Sequence, residues 1–394
     1  MNDAKLKHIL NLHPVVHTEI TRAENTALFT ADGRKMVDFE AGIWCTALGH
    51  TNARINAVIE GQISRIMHTS FRFTGNIAET CAANLLQVLD LNNGKAVFLS
   101  SGSEAVELSL RIARMISDKR YVLSFSNSYL SAYSSFSSPR DKRLWMEIDF
   151  EKCSSCKNKE CFGKCNALEG IDFGEISAFV LEPGSTSGRV LFPPYKLVSF
   201  LAGEVRKNGG SVVINEVTTG FGRTGKWFGH NHYDLKPDIA ALGKALGNGY
   251  PVSAVAVSGD IANRLEEKNL RYVQSHQNDP LGCSIANEVI NILRDENLIE
   301  RSESVGLFFM DRLKEIRDSC PIVKGVRGRG LMLAVELNIR DATEIVFEKM
   351  LQHGYLIGTT PAWNVLRFYP ALTIAEDDIV KMCSSLKKVL NGLV

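Results

Sequence analysis

The sequence of 394 residues has almost no net charge and lacks long hydrophobic runs. Lys and Arg total 45 against 44 Asp and Glu, a formal net charge of +1, which gives no support for a nucleic-acid partner. No apolar stretch approaches the ~18–20 residues needed to span a bilayer, so we expect no membrane partner. The first residues, MNDAKLKHILNLHPVVH, lack the apolar segment of a secretory signal. We therefore expect a cytoplasmic protein.

The cysteines do not suggest a disulfide framework. Nine is an odd number, and five of them are scattered among apolar residues. Such positions are typical of reduced core thiols in a cytosolic protein. These five are Cys45, Cys81, Cys283, Cys320 and Cys383.

Short apolar runs alternate with helical patterns through the middle of the chain. Helices are predicted at 103–116, directly after the first strand, and at 193–210, which begins with Pro and ends with Gly. Strands joined by helices predict an α/β fold with a mostly parallel sheet. The predicted strands are 95–101, 120–126, 176–182, 211–217, 238–242 and 253–258.

The two ends of the chain predict a second, smaller unit. Residues 330–394 interleave short strands with two helices, and the N-terminal ALFTADGRKMVDFE contributes strands that complete an α+β domain. We find no internal repeat and no long linker. The expected division is a large domain at 50–300 and a small one at 1–49 and 301–394.

Lys244 ends an apolar run that predicts a buried strand, in DIAALGKALGNGYP. A buried ammonium is costly unless it is paired, neutralised or covalently engaged. SSGSEAVE, at 100–107, places Gly102 and Ser103 at a helix N-terminus, a ready anion site. NEVTTGFGRTG begins with polar Asn215 at a strand end and continues as a Gly-rich loop. A phosphate site, a strand-end polar group and a buried lysine together suit pyridoxal 5′-phosphate.

The order and wording of these motifs resemble the class III aminotransferases, which are fold-type I pyridoxal-phosphate enzymes that include ornithine, 4-aminobutyrate and ω-amino-acid aminotransferases. The resemblance extends over nearly the whole chain. The motifs are FEAGIWCTALGH, SSGSEAVELSLRIAR, FVLEP, TTGFGRTGKWFGHNHYDLKPDIAALGKALGNGYP, NDPLGCSIA and VRGRGLMLAVEL.

The resemblance implies a role for each matching residue of the cofactor site. Lys244 matches the lysine that forms a Schiff base with the cofactor and moves the substrate's proton. Gly102 and Ser103 match the phosphate turn. Tyr129 matches the aromatic residue stacked on the pyridine ring, and Val217 matches the residue packed on its other face.

The resemblance also implies a substrate site and a dimer. Ser275 stands where the family has a Thr that reaches the partner subunit's phosphate, which implies a homodimer with shared sites. Arg367 matches the arginine that holds a substrate carboxylate. Trp44 falls where several ω-transaminases place an aromatic wall of the pocket, although simple packing is the alternative.

Several positions depart from the family pattern. Asn215 replaces the Asp that keeps the pyridine nitrogen protonated, and an amide supplies no counter-charge. Thr218 replaces a Gln beside the cofactor's phenolic oxygen. Leu130 and Ser131 replace His-Gly after the stacking aromatic. Ser187 replaces a Glu that gates the carboxylate-binding Arg, so Arg367 should stay available and favour α-carboxylate substrates.

A further departure is the cysteine cluster CSSCKNKECFGKC, with the spacing C-x2-C-x4-C-x3-C. Four cysteines within thirteen residues resemble a tetrathiolate metal loop, and Lys157, Lys159 and Lys164 would offset the thiolate charge. Structural Zn²⁺ is the preferred metal, and a [4Fe–4S] cluster is the alternative. We interpret 153–165 as an insertion. Its proposed ligands are Cys153, Cys156, Cys161 and Cys165.

These features predict a homodimeric pyridoxal-phosphate aminotransferase that moves an amino group from an amino acid to a 2-oxo acid or aldehyde. An amino-acid racemase or epimerase of the same family is the alternative enzyme. A catalytically reduced protein of this fold, with the cysteine cluster as a sensor, is the non-enzymatic alternative. Lys244 and Arg367 argue against that last alternative, whereas Asn215 favours it.

Overall fold

The structure is a computed structural model. It describes residues 8–10, 12–13, 15–73, 75–133, 140–153, 156–158, 160–161, 163 and 165–393. Within these ranges no helix is both long and apolar enough to cross a membrane. The helices of nine or more residues are Ala53–Ile63, Asn76–Val88, Gly102–Met115, Tyr195–Lys207, Gly259–Glu267, Pro280–Asp295, Leu298–Ser319, Ala342–Gln352 and Glu376–Asn391.

A seven-stranded sheet forms the centre of the molecule. The sheet contains all six predicted strands, which are therefore confirmed. The seventh strand, Trp145–Ile148, was not predicted, because four residues are too few to show a clear pattern of apolar residues. Ser253–Val257 runs antiparallel to both neighbours, and the last five strands are parallel. In spatial order the strands are Lys95–Leu99, Ser253–Val257, Ile239–Leu242, Ser211–Asn215, Ile176–Leu181, Tyr121–Phe125 and Trp145–Ile148.

Helices cover both faces of this sheet, as the apolar strands require. Because side chains alternate along a strand, Val213 packs in the cluster that includes helix Gly102–Met115. Its neighbours Val212 and Ile214 point the other way, into the cluster that includes helix Tyr195–Lys207. Both helices begin and end within three residues of their predicted bounds.

Two four-stranded sheets are built from the ends of the chain. In the first, Tyr355–Leu356 pairs in parallel with Lys35–Asp38, so the N-terminal strands join the C-terminal part of the chain directly. The first sheet is ordered Ile20–Glu24, Ala27–Thr30, Lys35–Asp38 and Tyr355–Leu356. The second is ordered Val323–Arg329, Met332–Leu337, Val365–Phe368 and Gly358–Thr360.

The carboxyl ends of the central parallel strands meet at one edge of the sheet. Asn215 is the last residue of its strand, Glu182 follows the strand ending at Leu181, and Lys244 follows the strand ending at Leu242. Ligand sites of open α/β sheets lie at this edge.

Candidate active site

A cavity of about 200 Å³ at this edge includes Lys244 in its wall. It brings together every predicted cofactor-binding residue except Ser275. We call it the Lys244 cavity. Its lining residues are Ser101, Gly102, Ser103, Tyr129, Leu130, Asn215, Val217, Thr218 and Lys244.

Lys244 adopts a backbone conformation that few side chains tolerate. Its φ is 46°, at the start of a short 3-10 turn, and such left-handed residues cost roughly 1–3 kcal/mol and cluster at functional sites. Its Nζ donates to the Thr218 hydroxyl at 2.9 Å and lies 5.3 Å from the centre of the Trp44 ring. Burial lowers the pKa of the Lys244 ammonium. A lowered pKa favours the neutral amine that a base or nucleophile needs.

The start of helix Gly102–Met115 also lines the cavity. Ser101 caps this helix, its hydroxyl accepting from the Glu104 N–H at 3.2 Å. The first N–H groups of a helix have no acceptor within it, and the helix dipole favours an anion there. A Cβ at Gly102 would come within 2.5 Å of a Val217 methyl group. Glycine is therefore needed at this position for backbone and Val217 to pack together.

The amide of Asn215 is held by two backbone groups. Its Nδ2 donates to the Tyr129 carbonyl at 3.1 Å, and its Oδ1 accepts from the Val217 N–H at 3.2 Å. One Nδ2 hydrogen and one Oδ1 lone pair stay available for a group in the cavity. The amide also ties together the two residues predicted to contact the cofactor ring.

Trp44 lies between Lys244 and Arg367. The Trp44 ring centre is 5.3 Å from Lys244 Nζ and 5.3 Å from the central guanidinium carbon of Arg367. The Arg367 Nη2 donates to the Thr359 carbonyl at 3.2 Å. Two buried donors, Trp44 Nε1 and Arg367 Nε, have no acceptor within the described part of the chain. Both predicted substrate-binding residues are thus brought together beside Lys244.

Trp44 ends a left-handed turn that was not expected from the sequence. Four consecutive residues, Ala41 to Trp44, have φ between 45° and 67°, a conformation that L-residues disfavour. The buried carboxylate of Asp38 accepts from the N–H groups of Glu40, Ala41 and Gly42 at 2.7–3.3 Å. These bonds hold the turn, and the turn places the Trp44 ring.

Comparison with known proteins identifies the family. Residues 11–390 match the family Aminotransferase class-III. The chain belongs to the class III aminotransferases. It is therefore an enzyme that transfers an amino group between an amino acid and an oxo acid or aldehyde, and pyridoxal 5′-phosphate is the cofactor expected of this family.

Relatives cover nearly the whole chain. A Sulfolobus acidocaldarius LysW-aminoadipate semialdehyde/glutamate semialdehyde transaminase is 28% identical over 94% of this chain and 94% of its own. An acetylornithine aminotransferase of Methanothermobacter thermautotrophicus is 28% identical over 95% of this chain and 94% of its own. The crystal structure of acetylornithine aminotransferase from Elizabethkingia anophelis has a TM-score of 0.84 and 24% identity, covering 98% and 97% of the two chains. The fold-type I architecture is confirmed.

Glu182 was not recognised from the sequence as a site residue. It is fully buried beneath Tyr129, and its Oε2 accepts from the Tyr129 N–H at 2.9 Å. Burial raises the pKa of Glu182 to about 7, despite hydrogen bonds from Thr186 and Tyr129 and the nearby charge of Lys244. The available signal was an acid directly after the apolar strand in FVLEP, at the edge where the other site residues end.

Two buried ionic groups fix the Gly-rich loop after Asn215. The Glu216 carboxylate accepts from the Thr219 hydroxyl, from the backbone N–H of His230 and from the ring Nδ1 of His230 at 2.6–2.8 Å. The Arg223 guanidinium donates to the Leu331 and Pro370 carbonyls at 3.0 and 2.5 Å. The second contact links this loop to the segment that follows Arg367, so the two halves of the site are fixed relative to each other.

A second cavity, of about 550 Å³, shares Tyr129 and Leu130 with the Lys244 cavity. Among the described residues, Arg189 is the only cation in its wall. It pairs with Glu151, and its central guanidinium carbon lies 4.5 Å from the centre of the Trp363 ring. The remaining lining is mostly hydroxyl and amide groups. Its other residues are Ser126, Asn127, Ser128, Ser131, Asp149 and Ser187.

Ser275 lies outside the Lys244 cavity. It is exposed, in the loop that precedes helix Pro280–Asp295. A side chain predicted to contact the partner subunit has no reason to line the cavity of its own chain. Ser187 stands where the family pattern has a Glu that gates the carboxylate-binding Arg. It is exposed at the edge of the second cavity, and its hydroxyl lies 3.0 Å from that of Ser185.

The cysteine cluster lies beside helix Tyr195–Lys207. Cys153 and Cys161 are half-buried, Cys156 and Cys165 are exposed, and all four are free thiols. Lys196 donates to the Cys156 carbonyl at 3.0 Å. Within the described ranges no three of these sulfur atoms lie within 4.8 Å of one another, so they do not form a closed ligand set. Lys159 and Lys164, predicted to offset thiolate charge, lie outside the described residues.

Proposed function

We propose that this aminotransferase takes an α-amino acid as amino donor and holds its carboxylate with Arg367. The observation that supports this most directly is the pair of buried donors, Trp44 Nε1 and Arg367 Nε, that lack an acceptor beside Lys244. An unpaired buried donor costs about 1–3 kcal/mol. A carboxylate placed between these groups would remove that cost and leave the adjacent amino group near Lys244.

The residues of the Lys244 cavity fit the cofactor. Gly102 and Ser103 would hold the phosphate at the helix N-terminus, Tyr129 and Val217 would enclose the ring, and Lys244 would bind it covalently. Gly102 supports this fit because the close approach of Val217 leaves room for no side chain there. When bound, the cofactor supplies a conjugated ring that accepts the electron pair left on the substrate α-carbon.

Lys244 is proposed to move the proton of the reaction. Its lowered pKa and its bond to Thr218 leave Nζ positioned to accept a proton from the substrate α-carbon. Thr218, which replaces a Gln in the family pattern, thus has a new role in orienting Nζ. Glu182 is proposed to position Tyr129 through its bond to the Tyr129 N–H.

The second cavity is proposed to receive the rest of the substrate. It adjoins the Lys244 cavity at Tyr129, and its lining of hydroxyl, amide and charged groups favours a polar side chain. The relatives named for acetylornithine and for aminoadipate semialdehyde also act on polar substrates. We therefore expect a polar donor rather than an apolar amine.

Racemisation or epimerisation is the second candidate reaction. The observation that favours it is Asn215, because an amide stabilises a protonated pyridine nitrogen less than a carboxylate does. A ring that accepts the electron pair of the substrate α-carbon less well disfavours the spread of that negative charge over the cofactor, which transamination uses. The membership in a family of aminotransferases favours transamination.

We also propose the assembly and organisation that the resemblance implies. Ser275, exposed and outside its own cavity, is proposed to reach the phosphate of the partner subunit in a homodimer. The small domain is proposed to comprise 1–49 and 301–394, supported by the pairing of Lys35–Asp38 with Tyr355–Leu356. A cytoplasmic location remains a proposal drawn from composition.

The cysteine cluster is proposed to bind one structural metal, with Zn²⁺ preferred over [4Fe–4S]. One support for this proposal is the spacing of four cysteines within thirteen residues. A second is that Cys153 lies near the other three cysteines: burial raises the pKa of the Cys153 thiol, and negative charge on those three raises it further. The four Sγ atoms would have to move closer to one another when a metal binds. Two of the four, Cys156 and Cys165, are exposed, where such movement is least costly.

Replacing Arg367 with alanine tests the carboxylate site. Arg367→Ala should weaken binding of amino acids about 10- to 100-fold, because a charge-assisted hydrogen bond contributes roughly 1.5–3 kcal/mol. Binding of amines without a carboxylate should change little. The measurement is the apparent dissociation constant of each donor from single-turnover conversion of the bound cofactor. Arg327→Ala, which removes an arginine of the same sheet that pairs with Glu336, is the matched control. Equal losses for both donor types would assign Arg367 a structural role only.

Replacing Asn215 with aspartate tests the electron sink. Asn215→Asp should accelerate abstraction of the α-proton, because a carboxylate favours the protonated ring and each pKa unit corresponds to about 1.4 kcal/mol. Rapid-mixing measurement with α-deuterated and normal donor follows this step. An unchanged or slower step would show that the enzyme does not rely on a protonated ring and would favour the racemase alternative.

Asn127→Asp is the control for this experiment. It adds the same charge to the wall of the adjoining cavity, where Asn127 Oδ1 is buried without a partner among the described residues. Acceleration in both variants would indicate a general effect of negative charge and would contradict a specific contact of residue 215.

Metal analysis tests the cysteine cluster. Protein purified without oxygen should contain about one Zn, or about four Fe with matching sulfide, per chain. Cys153→Ser combined with Cys156→Ser should abolish that content, whereas Cys383→Ser, outside the cluster, should keep it. Finding neither metal, with four titratable thiols at these positions, would exclude the site.

A further inference from the structure

Three side chains that belong to no part of the proposed active site meet near the start of helix Pro280–Asp295. His68 Nδ1 lies 2.5 Å from Asp279 Oδ1, and His276 Nδ1 lies 2.5 Å from Asp279 Oδ2. The two imidazole rings are 4.7 Å apart. Within the described ranges this is the only group of three or more His, Cys, Asp or Glu whose ligating atoms all lie within 4.8 Å of one another.

The three residues come from two separate segments. His68 lies between helices Ala53–Ile63 and Asn76–Val88, and His276 and Asp279 lie just before Pro280. Asp279 occupies the N-cap position of its helix, yet its carboxylate makes no capping bond to the helix. Both carboxylate oxygens are directed to the imidazoles instead. The arrangement therefore serves a contact between segments rather than the start of the helix.

The charge of Asp279 is not balanced by any permanently charged side chain in the described ranges. Its ion-pair partners there are the two histidines alone. Two imidazole nitrogens and one carboxylate, with their ligating atoms within 4.8 Å of one another, form a ligand set suited to a divalent cation.

The space and mobility needed for a metal ion are present. A cavity of about 170 Å³ includes His276 and Asp279 in its wall and can admit water ligands. In a tetrahedral zinc site the ligating atoms stand about 3.3 Å apart, so the imidazoles must each withdraw slightly from the carboxylate. Their side chains are 39% and 60% exposed, whereas that of Asp279 is 14% exposed. The imidazoles are thus the more exposed ligands, and a small movement of their rings would disturb fewer packing contacts than a movement of the carboxylate.

We propose that His68, His276 and Asp279 bind one divalent transition-metal ion, with water completing its coordination. Imidazole nitrogen with a single carboxylate suits Zn²⁺ and Co²⁺ rather than Mg²⁺ or Ca²⁺, which prefer all-oxygen sites. The ion joins the segment before helix Asn76–Val88 to the start of helix Pro280–Asp295. One of its ligands, His276, directly follows Ser275 in the sequence, so the ion would lie next to the proposed subunit boundary. Because it binds the folded form, the ion raises the melting temperature with its concentration.

The test is a Co²⁺ titration of the full-length, cofactor-loaded protein after removal of metals with a chelator and alkylation of accessible thiols. Visible absorption reports Co²⁺ bound by nitrogen and oxygen, and the absence of a thiolate charge-transfer band excludes the cysteine cluster. We expect one equivalent to bind, and the melting temperature to rise with added Zn²⁺. His68→Ala and His276→Ala should each weaken Co²⁺ binding at least 10-fold and remove the thermal shift.

The control is His353→Ala, which removes an exposed histidine bonded only to a backbone carbonyl of its own helix. This variant should bind Co²⁺ as the natural chain does. All three substitutions replace exposed histidines, and the absorption of the bound cofactor checks that each variant is folded. The proposal is overturned if the natural chain takes up no Co²⁺ at submillimolar concentration, or if either His68→Ala or His276→Ala binds it unchanged. Either result would mean that Asp279 only accepts hydrogen bonds from the two imidazoles.

Discussion

The ammonium group of Lys244 is removed from water, and much of the site follows from how that cost is met. Burial lowers its pKa, negative charge on Cys45 or Glu182 raises it, and the positive charge of Arg367 lowers it further. Thr218 accepts its hydrogen bond and the face of Trp44 lies 5.3 Å away. Each of these partners comes from a different segment of the chain. The position of one lysine thus depends on the packing of the entire sheet edge.

The backbone around this lysine is strained at both sides of the cavity. Lys244 is left-handed, and so are the four residues that end at Trp44. The strain persists because surrounding groups determine it, in the second case the Asp38 carboxylate with its three backbone donors. Arg223, bonded to the Leu331 and Pro370 carbonyls, links the Gly-rich loop to the segment after Arg367. These two hydrogen bonds therefore connect the cofactor side of the site to its carboxylate side.

The sequence was sufficient for the central sheet and for the Lys244 cavity, because both rest on local patterns. Apolar runs bounded by Gly or polar residues predicted six of seven strands, and the resemblance to the class III aminotransferases implied a cofactor-binding role for seven of the nine lining residues. Features set by contacts between distant segments were not predicted. Glu182 beneath Tyr129 and the left-handed turn at Trp44 depend on tertiary packing. His68 and Asp279, 211 residues apart, have no shared motif at all.

The most direct test of this account is identification of the lysine that holds the cofactor. Borohydride reduction of the loaded enzyme, followed by peptide mapping, should place the pyridoxyl group on Lys244 alone. Lys244→Ala should abolish the label, while Lys226→Ala, which removes a lysine of the same Gly-rich region outside the cavity, should leave it unchanged. A pyridoxyl group on any other lysine of the natural chain would contradict the account, because among the residues that the structure describes no other lysine lines the cavity that gathers the predicted phosphate and ring contacts.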